Sequence, residues 1–189
     1  MELPVLHTPR LTLRPVGPRD EDALWPYLSD PETCRYMSWE AHRTRADTQA
    51  FLKRVEEDWR LERAATWSLD FNGKLVGIIS LIAILRSHRA LIYHRAELAY
   101  WLGKEFRGTG LMTEACRTVI DCAFDELGIH RLVVGHFDIN HDSKRLIERL
   151  GFRYIGNERD AFCKNGVWHT MKSYDLLASD PRPTGQFDK

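Results

Sequence analysis

The chain has 189 residues, of which 43% are hydrophobic and 29% charged, so it suits one globular domain with a sizeable core. Lys plus Arg and Asp plus Glu number 27 each, which leaves no net charge to favour nucleic acid or an anionic membrane as a partner. No apolar run approaches the roughly 20 residues that span a bilayer, and no signal peptide is evident. We expect one cytoplasmic domain over residues 1–178 and a flexible, proline-containing tail over 179–189.

The first third of the chain predicts one strand followed by helices. Residues Leu11–Arg14 alternate apolar and polar side chains, which indicates a strand. An apolar stripe over Arg19–Leu28 predicts a helix, and Asp30 followed by a proline marks the start of a second, short one. The capping pattern at Thr44–Asp47 opens a longer helix with an apolar residue at every fourth position. This third is therefore expected to be mainly helical.

The rest of the chain is dominated by strands. Asn72-Gly73 predicts a tight hairpin between strands over Thr66–Phe71 and Leu75–Leu85, and Asn165-Gly166 predicts another turn before a last strand. A strand, a helix and a second strand between residues 98 and 137 form a βαβ-like crossover beside the hairpins, so we expect a mixed, strongly twisted α/β sheet flanked by helices. The other predicted elements are strand Ala96–Leu102, helix Thr113–Leu127, strand Arg131–Phe137, helix Ser143–Leu150 and strand Trp168–Leu176.

A loop between a predicted strand and the next helix is suited to bind an anion. Gly108 and Gly110 flank Thr109, so consecutive backbone N–H groups can turn the same way, and the following helix directs its positive dipole end at them. The loop is not a P-loop, because Leu111 and Met112 stand where Lys and Ser or Thr are needed. The dinucleotide fingerprint needs three glycines, and this loop has only two. The pattern predicts a diphosphate site of another kind.

Four segments together carry a family pattern. The Arg-x-x-Gly loop at Arg107–Gly110 resembles the pyrophosphate loop of the GNAT N-acetyltransferases, and Asn140–Phe152, which closes with Leu-Gly-Phe, resembles their second cofactor segment. Thr8–Pro15 and Phe162–His169 are similar to the branch that acetylates N-terminal amines of ribosomal proteins. The resemblance implies an acetyltransferase domain over residues 1–178, acetyl-CoA as co-substrate, a splayed pair of central strands and a homodimer.

The resemblance also implies which residues contact the cofactor. A backbone N–H of the strand at Ala99–Leu102 is expected to polarise the thioester carbonyl, because the splay leaves such donors unpaired. Arg107 suits a diphosphate as a charge-assisted fork, and the loop amides supply further donors. Met112 departs from the small residue usual at its position and narrows the pocket. The residues expected to bind the cofactor are Tyr100, Trp101, Leu102, Arg107, Gly108, Thr109, Gly110, Leu111, Met112, Asn140 and Ser143.

Two side chains are candidates for catalysis, and each has a structural alternative. Glu97 is expected to act as the general base, directly or through water, but a surface salt bridge with Arg95 or Arg89 would explain it equally. Ser143 matches the family serine near the coenzyme sulfur, where its hydroxyl can stabilise the leaving thiolate. It could instead serve only as a helix cap, and Asn140 could be a turn residue as well as a cofactor ligand.

The acceptor amine is the least constrained part of the sequence interpretation. An α-amino group has a pKa near 8 and a lysine near 10.4, so a modest base such as Glu97 favours a protein N-terminus or another weakly basic amine. A small-molecule acetyltransferase for an antibiotic, polyamine or amino acid stays open, as does a coenzyme A-binding module without turnover. The histidines and cysteines lack ligand spacing, so no metal is expected.

Overall fold

The computed structural model describes residues 3–182, which form one mixed eight-stranded sheet with helices packed against it. Neighbouring residues of one strand, Ile78 and Ile79, belong to two separate apolar clusters, so both faces of the sheet are covered. The strands are β1 Leu6–His7, β2 Leu11–Pro15, β3 Ala65–Phe71, β4 Lys74–His88, β5 Leu91–Leu102, β6 Arg131–Phe137, β7 Arg153–Lys164 and β8 Val167–Leu177. The helices are α1 Glu21–Leu28, α2 Pro31–Cys34, α3 Arg45–Arg60, α4 Leu111–Asp121 and α5 His141–Arg149, with 3₁₀ turns at Pro18–Asp20 and Lys104–Phe106 and a π turn at Cys122–Glu126.

The strand order is β1-β2-β3-β4-β5-β6-β8-β7, and every neighbouring pair is antiparallel except β5 and β6. The hairpin predicted at Asn72-Gly73 is present. The two residues have φ angles of 51° and 79°, the positive values that a tight two-residue hairpin turn needs. The capping box predicted at Thr44 and Asp47 is also present at the start of α3. The predicted mixed α/β sheet with its crossover is thereby confirmed.

The parallel pair β5 and β6 is joined over three residues only. Arg95, Ala96 and Glu97 pair with Arg131, Leu132 and Val133, and beyond these positions the two strands diverge. Each strand remains paired on its outer side, β5 with β4 and β6 with β8. The predicted splay of the central strands is therefore present, and it begins directly after Glu97.

Several boundaries differ from the sequence prediction. The helix after the glycine loop begins at Leu111 rather than Thr113, because Gly110 already serves as its N-cap. Strand β5 begins at Leu91 rather than Ala96, and its first residues are exposed, so no buried alternation marks them. Strand β7 carried no prediction, since its side chains are mostly exposed on both faces of an edge strand.

The predicted C-terminal tail is only partly within the described residues. Its described part, 179–182, contacts the domain, because the Arg182 guanidinium lies 2.8 Å from the Asp121 carboxylate and 2.6 Å from that of Asp125. Residues 183–189 lie outside the described residues, so the flexibility predicted for them stays a prediction.

Candidate active site

The divergence of β5 and β6 opens a cavity of about 950 Å³. Most of the site residues predicted from the sequence line this cavity, although they come from three separate segments of the chain. Thr109 and Leu111 do not line it, because the Thr109 hydroxyl donates to the Phe106 carbonyl at 2.6 Å and Leu111 is buried in the core. Those two residues can contribute only backbone groups. The predicted residues that line the cavity are Glu97, Tyr100, Trp101, Leu102, Arg107, Gly108, Gly110, Met112, Asn140 and Ser143.

The glycine loop has the backbone conformation that an anion cradle needs. Gly108 and Gly110 have φ angles of 77° and 81°, in the left-handed region that favours glycine. Helix α4 begins at Leu111 directly behind them, so its first N–H groups lack intrahelical acceptors and its dipole is positive there. The donor set and its charge therefore fit a diphosphate group.

Arg107 is the cation of this loop. Its Nε donates to the Leu102 carbonyl at 3.2 Å, and one of its terminal nitrogens lies 4.0 Å from the Glu32 carboxylate. The Arg107 side chain is 40% exposed, so the remaining N–H groups of its guanidinium can meet a phosphate. Leu102 ends β5, which places this cation where the splayed strand meets the loop.

An ion pair between the buried Glu114 and the more exposed Arg10 supports the loop, and the sequence interpretation did not include it. Glu114 lies in the first turn of α4 with its side chain fully buried, and it accepts from the Arg10 backbone and Nε, both at 2.8 Å. It also accepts from the Thr8 hydroxyl. Arg10 in turn donates to the Thr109 carbonyl at 3.0 Å. A carboxylate on the otherwise apolar face of α4 was the available signal for this contact.

Asn140 and Ser143 lie at the start of α5 on the opposite side of the cavity. The Asn140 side chain caps the helix, because its Oδ1 accepts from the Ser143 backbone N–H at 3.2 Å. The alternative in which Ser143 is the cap is therefore wrong, and its hydroxyl is available for another contact. That hydroxyl lies 2.9 Å from the Tyr100 hydroxyl of β5.

The Tyr100 hydroxyl is the functional group that sequence reasoning missed, since Tyr100 was assigned only as part of the cofactor strand. Burial raises the pKa of this phenol, and the Ser143 hydroxyl only partly offsets that rise. The phenol is therefore protonated throughout the neutral range and can act as a proton donor. Its contact with Ser143 joins β5 to the start of α5 at the cavity, which both residues line.

Glu97 sits where the splay begins, opposite Ile82 on β4 and Val133 on β6. Burial raises the pKa of its carboxyl, Arg95 lowers it, and the nearby charge of Glu158 raises it further. Within residues 3–182 neither Arg95 nor Arg89 comes within 4.0 Å of the Glu97 carboxylate, so the predicted salt bridge is not formed, although the charge of Arg95 still lowers the Glu97 pKa. The register of β4 against β5 is broken directly after Ile82, where Ala83 has a φ of 48°. This bulge lies beside the carboxylate.

Comparison with known proteins identifies the family. Residues 10–153 match the acetyltransferase (GNAT) domain family. This chain is a GNAT acetyltransferase. It is 31% identical, over 88% of its length and 91% of the relative's, to a Bacillus subtilis protein named "Putative ribosomal N-acetyltransferase YdaF". It is 29% identical to the [Ribosomal protein uS5]-alanine N-acetyltransferase of Escherichia coli, covering 94% of this chain and 93% of the relative.

The fold of the GNAT acetyltransferase agrees with solved structures. The ribosomal alpha-N-protein acetyltransferase RimL, in complex with coenzyme A, superposes with a TM-score of 0.83 over 94% of this chain and 98% of that one, at 20% identity. A self-immunity acetyltransferase, MccE, in complex with acetyl-CoA and AMP, superposes with a TM-score of 0.80 over 89% and 93%, at 23% identity. The acetyltransferase is accordingly an acetyl-CoA-dependent N-acetyltransferase with a GNAT sheet.

Between residues 3 and 182, no group of three His, Cys, Asp or Glu side chains is arranged to hold a metal ion. In that same range no helix is long and apolar enough to cross a membrane.

Proposed function

We propose that this enzyme acetylates the α-amino group of a protein or peptide N-terminus, by direct attack of the amine on acetyl-CoA in a ternary complex. The observation that carries the proposal is Glu97, a half-buried carboxylate with a raised pKa at the point where the strands part. A raised pKa makes the carboxylate a better proton acceptor near neutral pH. An α-amino group needs only such a modest base, because part of it is already neutral there.

The donor side of the proposal assigns each group one task. Bound acetyl-CoA supplies a thioester carbonyl and a thiolate leaving group. The amides of the loop at Gly108–Met112 and the Arg107 guanidinium hold its diphosphate, and a free N–H of the splayed strand hydrogen-bonds the carbonyl oxygen. Glu97 takes the proton that the attacking amine loses. The Tyr100 hydroxyl, oriented by Ser143 at 2.9 Å, donates a proton to the leaving sulfur.

One observation supports a second acceptor class. Glu158 also lines the cavity and its charge acts on Glu97, so the acceptor end holds two carboxylates. Such a pair also suits a small polycationic amine, in which one ammonium is bound while another amine reacts. A polyamine is therefore the competing substrate class for the same chemistry.

A thiol-release assay with a matched amine panel tests the proposal. The panel contains a peptide with a free N-terminus and no lysine, the same sequence with its N-terminus blocked and one internal lysine, and spermidine. We expect turnover of the first peptide and little of the second. Faster turnover of spermidine than of any peptide would transfer the assignment to the polyamine class, and binding of acetyl-CoA without any turnover would indicate a coenzyme A-binding module.

A cytoplasmic location and a homodimer belong to the same proposal. Support for a homodimer comes from the arm formed by β4 and β5, where Leu91 and Ile92 are 69% and 84% exposed. Cell fractionation tests the location. Sedimentation of the purified chain tests the dimer, and a monomer at micromolar concentration would contradict it.

A further inference from the structure

Lys164, the last residue of β7, has its charged group inside the protein. Its side chain is only 9% exposed. The Nζ donates to three backbone carbonyls, those of Cys34 at 2.7 Å, Met37 at 2.6 Å and Trp39 at 2.9 Å. An ammonium has three N–H donors, so all of them are used.

The three carbonyls belong to one segment, residues 34–40, which begins at the last residue of α2 and is irregular beyond it. The Cys34 carbonyl is at the C-terminal end of that helix, where carbonyls lack intrahelical donors and a cation is favoured. The Glu40 carboxylate lies 3.8 Å from the same Nζ and adds a second, weaker attraction. The lysine thus adds three hydrogen bonds to a segment that also has a turn hydrogen bond of its own, from the Met37 N–H to the Cys34 carbonyl at 2.9 Å.

The contact joins two walls of the cavity that are far apart in sequence. Tyr36, Met37 and Ser38 of the segment line one wall, while Glu158 and Phe162 of β7 line the other. Lys164 itself does not line the cavity. Because the Glu158 charge acts on Glu97, the β7 wall to which Lys164 connects the segment belongs to the end of the cavity that holds the proposed base.

We propose that Lys164 is a positioning residue for acceptor recognition: it fixes the 34–40 segment against β7 and so shapes the acceptor end of the cavity. The inference rests on the proposed function only in taking the Glu97 end as the acceptor end. Its consequence is that loss of the ammonium weakens acceptor binding more than acetyl-CoA binding, since Arg10 and Glu114 hold the loop and its contact with α2, between Arg107 and Glu32, is a long one at 4.0 Å.

Three variants test this positioning role. Lys164→Met keeps the unbranched side chain up to its last atom and removes the donors, and Lys164→Arg keeps donors and charge. Lys53→Met alters an exposed lysine on α3 as the control. For Lys164→Met we expect the KM of the acceptor amine to rise about tenfold, the effect of losing hydrogen bonds from a charged donor, with kcat and the Kd of acetyl-CoA little changed. Lys164→Arg should recover most of the acceptor affinity, and Lys53→Met should behave as wild type.

Hydrogen exchange measured with coenzyme A bound distinguishes a local effect of Lys164→Met from general misfolding of the variant. Faster exchange confined to residues 34–43, with residues 107–113 unchanged, is expected for Lys164→Met. Equal losses of affinity for the acceptor amine and for acetyl-CoA would overturn the inference, as would an unchanged exchange rate in residues 34–43. If the wild type prefers an amine other than a peptide N-terminus, the proposed function fails, and the same KM comparison made with that amine still decides the role of Lys164.

Discussion

The two ends of the cavity recognise their substrates by different means. At the coenzyme end, the recognising groups are backbone amides fixed by Gly108, Gly110 and the start of α4, with a fully buried Glu114 beneath them. At the acceptor end, the wall consists of side chains from the 34–40 segment, β5 and β7, held together by contacts such as that of Lys164. A backbone cradle tolerates changes of side chain, whereas a wall of side chains changes with every substitution. This difference explains why the donor was identified more readily than the acceptor.

The largest effect is expected at the acceptor end, where removing the proposed base should slow turnover without weakening acetyl-CoA binding. Glu97→Gln should lower kcat by about 100-fold or more, because a positioned base contributes that much, while the Kd of acetyl-CoA stays unchanged. Burial raises the pKa of Glu97, so its ionised form costs stability above the ordinary carboxyl pKa, a cost relieved as pH falls through the raised value. The variant should therefore melt no lower than wild type at neutral pH. A variant that melts at a lower temperature and loses acetyl-CoA binding as well as turnover would contradict the assignment of Glu97 as the base.

The next effect lies between the two ends, at the pair of hydroxyls. Tyr100→Phe removes the donor to the leaving sulfur and leaves Ser143 without its partner, so we expect kcat to fall by about 10- to 100-fold. The kcat of Ser143→Ala should fall less than that of Tyr100→Phe, because the Tyr100 hydroxyl keeps its proton. Stopped-flow measurement of the acetyl-transfer step checks both variants, and a larger loss for Ser143→Ala would make the serine the donor.

A smaller effect should appear at the coenzyme end alone. Gly110→Ala places a Cβ in the left-handed region and 3.3 Å from Arg10, which strains the loop that holds the diphosphate. We expect the Kd of acetyl-CoA to rise about tenfold with the acceptor KM unchanged. Gly73→Ala is the matched control, since its φ of 79° is similar and its added Cβ meets nothing within 4 Å. Equal effects of the two changes on Kd would contradict a specific role for the loop.

The smallest effect is a shift of the pH profile. Glu97 accepts a proton only when ionised, so activity should fall as pH drops through its raised pKa. Because the charge of Glu158 contributes to that rise, Glu158→Gln should move the acidic limb of kcat/KM to lower pH. The exposed Glu56→Gln on α3 serves as the control. A limb that stays in place in Glu158→Gln would show that Glu97 is not the group that titrates.

Local features were readily predicted from the sequence. The Asn72-Gly73 hairpin and the α3 capping box depend on residues within a few positions of each other, and the glycine loop is set by its own left-handed residues. The contacts between Arg10 and Glu114 and between Lys164 and the carbonyl of Trp39 join residues 104 and 125 positions apart, so no local pattern contains them. Strand β7 was missed because its exposed side chains show no alternation. The acceptor end depends on such distant contacts.

The most direct test is a competition within one substrate. A peptide that carries both a free α-amine and one internal lysine is incubated with acetyl-CoA, and mass spectrometry locates the acetyl group. We predict acetylation of the α-amine, lost in Glu97→Gln and retained in the control Glu56→Gln. Acetylation of the lysine side chain, or equal α-amine acetylation by Glu97→Gln, would contradict the account of this cavity as an N-terminal acetylation site.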